Sequence, residues 1–184
     1  MNGHQVSQGL TSLPLIVDLD DTLIHADVLC RGIAKLAISK PWTLPWFIVW
    51  LCLSRAAAKA WLARHIELDV TSLPYRTELL NYLTQQKAAG RKMILVSAAD
   101  ERIVKRVASH IGLFDASYGS DGHINLKGST KAKLIKNKIA EQFVYAGDSF
   151  ADLQVWKHAS GAILCGKAQQ FKSILSIPIE ASFT

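Results

Sequence analysis

The 184-residue sequence predicts an α/β fold: a parallel sheet with helices on both faces and a helical segment inserted after the first strand. Three observations lead to it. Short apolar runs alternate with stretches of helical periodicity along most of the chain, polar residues close those runs, and one long segment breaks the alternation.

The first strand is read from Leu15-Ile-Val-Asp-Leu-Asp-Asp-Thr-Leu23, an apolar run ending in three carboxylates and a hydroxyl. Asp18, Asp20 and Asp21 then lie at its carboxyl end, the side on which open α/β sheets bind ligands. Like charges this close repel unless a cation or a proton offsets them, which points to a metal-assisted catalytic site. The alternative is a strand followed by an acidic, solvated turn.

From Ile24 to Pro74 the pattern changes. This stretch holds Trp42, Trp46, Trp50 and Trp61, leaving only Trp156 elsewhere. Its apolar run from Trp42 to Leu53 falls short of the roughly 20 residues that a bilayer span needs. Trp42, Trp46 and Trp50 are four apart and share one face if the piece is helical throughout; Pro45 suits a nearby helix start.

Regular order then resumes. Arg76 to Ala89 carries Leu79, Leu80 and Leu83 at helical spacing, with Gly90 placed to end the helix. Lys92 to Ser97 reads as the second strand. Asp100 can cap a helix whose inner face is Ile103, Val104, Val107 and Ile111, closed by Gly112. Phe114 to Tyr118 is the weakest strand, and Gly119 to Gly128 is rich in turn residues. Ser129 can cap a helix containing Leu134, Ile135 and Ile139. Gln142 to Gly147 gives a strand ending in Asp148, a short helix with Leu153 and Trp156 follows, and Gly161 to Leu164 gives the last strand. Gln169 to Thr184 has no pattern.

Composition narrows the classes. Hydrophobic residues make up 49% and charged residues 20%, which excludes disorder and leaves one domain with a small insertion. The net charge of +6 suits phosphorylated substrates or anionic surfaces, but no dense basic block with interleaved aromatics marks a nucleic-acid binder. Cys30, Cys52 and Cys165 are odd in number and widely spaced, and read as buried small apolar residues in a reducing compartment. Met1 to Ser12 has neither a basic nor an apolar leader pattern, which points to the cytoplasm.

The polar strand ends converge on one rim: Asp18-Leu-Asp20, Ser97, and Gly147-Asp148 with Asp152 one turn on. With Lys127-Gly128 in the preceding loop, this set resembles the haloacid dehalogenase superfamily. Its D-x-D-x-T motif is met by Asp18 to Thr22, its serine by Ser97, its lysine by Lys127, and its G-D-x-x-x-D motif by Gly147 to Asp152. The resemblance runs from about Leu15 to Cys165. It implies a Rossmann-like core of residues 1–23 and 75–184, with the helical segment 24–74 as a small cap over the site. One departure is Asp21, where phosphatases of the family often have Gly.

Physical chemistry gives each residue a task within that resemblance. A carboxylate can attack phosphorus in line and split hydrolysis through an acyl phosphate; Asp18 is the expected nucleophile. Asp20 is the expected acid and base, protonating the leaving oxygen and later accepting a proton from water. Ser97 and Lys127 are expected to hold the phosphoryl oxygens, with Lys131 and Lys133 as rivals for the cationic part. Mg²⁺ suits Asp18 and Asp148, joined, as the resemblance implies, by the backbone carbonyl of Asp20; Asp152 and Thr22 support the arrangement. Taken singly, Ser97 fits a loop start, Lys127 a surface charge, Asp148 a helix cap and Asp152 a helix-surface acid. Their joint occurrence with Asp18 and Asp20 is what points to a site.

An acid/base at Asp20 favours a phosphatase over dehalogenase-type or cation-pumping members. More narrowly, Leu68 to Tyr75, Ser97 to Arg102, Ser120 to Gly128 and Tyr145 to Trp156 resemble the phosphatase-like domain associated with ubiquinone-biosynthesis-type membrane prenyltransferases. The resemblance implies a lipid-linked or prenyl-pathway phosphate as substrate and a membrane prenyltransferase as partner. Two other readings stand beside it: a non-catalytic module that docks such an enzyme, and a phosphotransferase. The Trp42 to Leu53 face, flanked by Lys40, Arg55, Lys59 and Arg64, either rests peripherally on a membrane or packs the cap against the core.

Overall fold

The computed structural model describes residues 9–184; most of the Met1 to Ser12 leader expectation therefore lies outside the described residues. Six strands form one sheet in the order β3-β2-β1-β4-β5-β6: β1 (Leu15–Val17), β2 (Met93–Asp100), β3 (Ala116–Ser120), β4 (Val144–Gly147), β5 (Gly161–Cys165) and β6 (Ile179–Phe183). Every pairing is parallel, and β1 is central, with Leu15 opposite Met93 on one side and Val144 on the other. Parallel strands covered on both faces need apolar side chains in both directions, and the strands supply them by strict alternation. Leu15, Val17, Met93, Leu95, Val144 and Ala146 face one core; Ile16, Ile94, Val96, Tyr145, Ala162 and Leu164 face the other.

The first core is closed by α4 (Thr77–Ala88) through Leu79 and Leu83, and by α5 (Glu101–Ile111) through Ile103, Val104 and Val107. Asp100 caps α5 by accepting from the Arg102 N–H, and Gly112 ends it in the left-handed region. The second core is closed by α6 (Ser129–Leu134), which loosens into a π-turn at Ile135–Ile139, and by the short α7 (Leu153–Trp156).

The segment between β1 and α4 folds as α1 (Val28–Ser39), α2 (Leu44–Leu53) and α3 (Arg55–His65). Asp27 caps α1 and Ser54 caps α3, each accepting from a first-turn N–H. Its entry and exit run side by side: Ile24 and Tyr75 form an antiparallel bridge, the His25 N–H donates to the Pro74 oxygen (2.8 Å), and the Arg76 N–H donates to the Leu23 oxygen (2.9 Å).

Several expectations change. β2 runs three residues past Ser97, β3 begins two residues later than Phe114, and Gly128, rather than Ser129, precedes α6. Residues 179–183, within the patternless tail, form the edge strand β6. Cys30 and Cys52 are exposed, so only Cys165 fits the buried reading. A 3-10 turn at Pro41–Thr43 separates Trp42 from α2, and Trp42, Trp46 and Trp50 are exposed instead of packing the insertion on the core; Trp61 alone of the four packs against it. Among the described residues no single helix is long and apolar enough to cross a membrane; α1 together with the 41–53 stretch has the length but is bent by 118°.

Candidate active site at the carboxyl ends of the central strands

Strand order reverses between β1 and β4, and such a reversal opens a crevice beyond their carboxyl ends. Asp18 follows β1 and Asp148 follows β4; the Asp18 N–H donates to the Ala146 oxygen (3.1 Å), which ties the two ends together. The Asp18 carboxylate accepts the Leu19 N–H on Oδ1 (2.7 Å), and its Oδ2 lies 2.7 Å from Lys131 Nζ. Burial pushes the Asp18 carboxyl up, more than the neighbouring ammonium pulls it down. Burial also works against the charge on Lys131, but Asp18 and Asp152 outweigh it and hold that side chain as an ammonium.

Asp152 is buried and fully engaged. Its Oδ1 accepts from the Tyr145 hydroxyl (2.7 Å) and lies 3.7 Å from Lys131 Nζ; its Oδ2 accepts the N–H groups of Asp148 (3.2 Å) and Ser149 (3.0 Å) and the Ser149 hydroxyl (2.8 Å). Burial alone would raise it, but the Lys131 charge and these donors bring the carboxyl below its usual range. Tyr145 accepts from Lys131 Nζ (2.9 Å) and so links the ammonium to Asp152. Gly147 makes this turn possible: a Cβ there would come within 2.9 Å of Asp152 Cγ and 2.7 Å of the Tyr145 ring.

Asp148 differs from its neighbours. Its carboxylate accepts no hydrogen bond from any described residue, and burial, then the charges of Asp152, Asp18 and Asp21, push it to about 7. Asp18, Asp148 and Asp152 each bring a carboxylate oxygen within 4.8 Å of the others. Oxygen donors crowded this way around one ammonium fit a hard divalent cation such as Mg²⁺. Asp20, half-buried, accepts the Val28 N–H at the start of α1 (2.8 Å), and burial raises its carboxyl to about 7.

The loop after Asp18 turns through a left-handed residue. Asp21 has φ of +54°, the only positive value at a non-glycine among the described residues; Asp is one of the few side chains that tolerates it. Arg76, which sequence reading did not single out, holds this loop from beneath by donating to the Asp21 and Thr22 oxygens (3.0 Å each). Thr22 is buried, with its hydroxyl unpartnered among the described residues, so the loop is fixed through its backbone carbonyl.

Above these groups lies a cavity of about 430 Å³. Asp18, Asp20, Asp148, Asp152 and Lys131 form its polar floor, and Leu29, Leu51, Leu62, Ile66, Leu68 and Ile103 give it an apolar wall. Lys59 of α3 reaches across it, donating to the Ala98 oxygen (2.7 Å) and to Asn125 Oδ1 (3.1 Å).

Two expected phosphate ligands sit differently. Lys127 is exposed on the cavity rim, Lys133 is exposed and off the cavity, and the ammonium beside Asp18 belongs to Lys131. The signal was in the helical period: Lys131 is four residues before buried Ile135 and adjoins buried Ala132, so it lies on the inward face of its helix. Ser97 is buried behind the wall formed by Ala98 and Ala99, and its hydroxyl accepts the Ala99 N–H (3.0 Å).

No protein-family model matches the chain. It is 40% identical over 168 residues to the uncharacterized protein y4nM of Sinorhizobium fredii, covering 89% of this chain but spanning only about a third (32%) of that protein's length. Among solved structures, a HAD family hydrolase from Salmonella enterica serovar Typhi aligns with a TM-score of 0.59 at 18% identity, over 95% of this chain and 68% of that one. A phospho-aspartyl intermediate analogue of phosphoserine phosphatase aligns with a TM-score of 0.58 at 16% identity, over 92% and 93% of the two chains. The Rossmann-like α/β fold is thus the one found in haloacid dehalogenase-type hydrolases.

Proposed function

We propose that this chain is an Mg²⁺-dependent phosphomonoester hydrolase that works through an aspartyl phosphate on Asp18. One observation carries the reading: carboxylates from the ends of β1 and β4 meet a buried ammonium beneath a cavity large enough for a phosphorylated small molecule. Asp18 Oδ attacks phosphorus as the bond to the leaving oxygen breaks. Asp20, with its carboxyl near 7, is suited to hold the proton that the leaving oxygen takes and then to receive one from the water that cleaves the acyl phosphate. Lys131 holds the phosphoryl oxygens against Asp18, Lys127 adds charge at the rim, and Asp152 and Tyr145 position Lys131. Ser97 serves by bracing the Ala98–Ala99 end of β2, accepting the Ala99 N–H. Asp18, Asp148 and the Asp20 carbonyl would hold Mg²⁺, which draws off phosphoryl charge when bound.

The apolar wall favours a substrate with a hydrocarbon body beside its phosphate, of the lipid-linked kind. The segment 24–74 acts in this reading as the cap that selects it. A prenyl-pathway substrate and a membrane prenyltransferase partner rest on the subfamily resemblance alone.

Phosphate release from aryl, sugar and prenyl monophosphates tests the reading. We expect release that needs Mg²⁺, stops on chelation and falls at least about 10³-fold in Asp18→Asn. A folded native chain that releases phosphate from none of these with Mg²⁺ present would overturn it and favour a docking module.

A further inference from the structure

We infer that α2 and its basic flanks form a docking surface for an anionic lipid membrane. From Pro41 to Leu53 there is no charged residue, and within α2 only Phe47 is buried, against Trp61. Trp46 is 66% exposed, Ile48 57% and Leu53 69%; Trp42, in the turn before, is 72% exposed. With about 3.6 residues per turn, the exposed side chains of Trp46, Ile48, Val49, Trp50 and Leu53 point to the sides of the helix away from Phe47, and Leu51, on the Phe47 face, borders the cavity. A second protein, or a second copy, covers one side of a helix and leaves the other in water. Immersion in lipid covers every side that Phe47 leaves open.

Charge supports the same occupant. Arg31, Lys35, Lys40, Arg55, Lys59 and Arg64 are the charged residues between Val28 and Ile66, and no acidic residue lies among them. That surplus equals the +6 of the whole chain, so the rest of the molecule is neutral and the positive field is concentrated around the apolar helix. Arg31, Lys35, Arg55 and Arg64 are exposed, available to headgroups. Ten residues of helix rise about 15 Å, half of a hydrocarbon layer of about 30 Å, and the 118° bend before α2 prevents a span. The contact is therefore with one leaflet. Leu51 and Arg55 belong to this surface and also line the cavity, so the cavity opens beside the lipid.

Co-sedimentation with phosphatidylcholine vesicles, with and without phosphatidylglycerol, tests the inference on the full chain. Binding is expected to the anionic vesicles, about tenfold or more weaker to the neutral ones, and reduced about tenfold or more in the Trp42→Asp/Trp46→Asp double variant. Both positions are exposed and off the cavity wall, so the variant keeps its fold by circular dichroism. Asp18→Asn binds like the native chain, which separates this result from any failure of the hydrolase reading. The inference is overturned if anionic vesicles do not retain the native chain or if the double variant binds undiminished. It is equally overturned if vesicles are ignored while sedimentation shows a dimer that the double variant dissolves.

Discussion

The ammonium of Lys131 faces Asp18 and Asp152 where water is nearly excluded, and its value depends on that setting. In the proposed mechanism Lys131→Met removes the charge that holds the phosphoryl oxygens, and it leaves Asp18 and Asp152 crowded without their ammonium. We expect kcat to fall about 10²–10³-fold and thermal stability to drop. Lys127→Met, at the exposed rim, should change KM by no more than about tenfold and leave stability unaltered; steady-state kinetics and thermal melts on the two variants check the contrast. Asp18 and Asp148 were legible because they stand directly at the ends of apolar runs, with Asp20 and Asp152 a few residues on. Motif spacing did not fix which lysine stands beside Asp18, since Lys127 and Lys131 are both near enough in sequence; the turn at Gly128 and the inward face of α6 put Lys131 there.

The polar link between helix α3 and the strand ends runs through Lys59. Lys59 donates to Ala98 at the end of β2 and to Asn125 in the loop after β3, while Ala60 beside it packs close to Gly122. If the insertion opens to admit substrate, these are the bonds that must break. Lys59→Met is expected to raise KM about tenfold with a smaller change in kcat and to speed proteolytic cutting between α1 and α3; unchanged KM and cutting would show that Lys59 is no latch. The helices themselves were visible as apolar, tryptophan-rich sequence. Their exposure was not, because an apolar helix has the same local pattern whether it packs on a core or faces outward.

Across the whole molecule, the sheet is finished by long-range pairing. Glu180 of β6 forms a bidentate pair with Arg91, which precedes β2, and accepts from the Tyr82 hydroxyl of α4; both charged side chains are almost fully buried. Arg91 also donates to the Leu10 and Leu13 oxygens (2.9 and 2.8 Å). Arg91→Met strands the Glu180 charge and is expected to cost about 3–5 kcal/mol in urea unfolding, with Arg91→Met/Glu180→Leu losing less than the single change. This explains why β6 escaped sequence reading: Ile179 to Phe183 is an edge strand held by a charge pair 89 residues apart, and nothing local announces it. β1, β4, β5 and the Met93–Val96 half of β2 were readable because they are buried and carry no charged residue. The paired entry and exit of the insertion at Ile24 and Tyr75 has a different kind of consequence. A segment that begins and ends at one doorway can be exchanged for another of different length without moving β1, β2 or the carboxylates beyond them, so a lineage can trade substrates by replacing a plug while the chemistry stays in its socket.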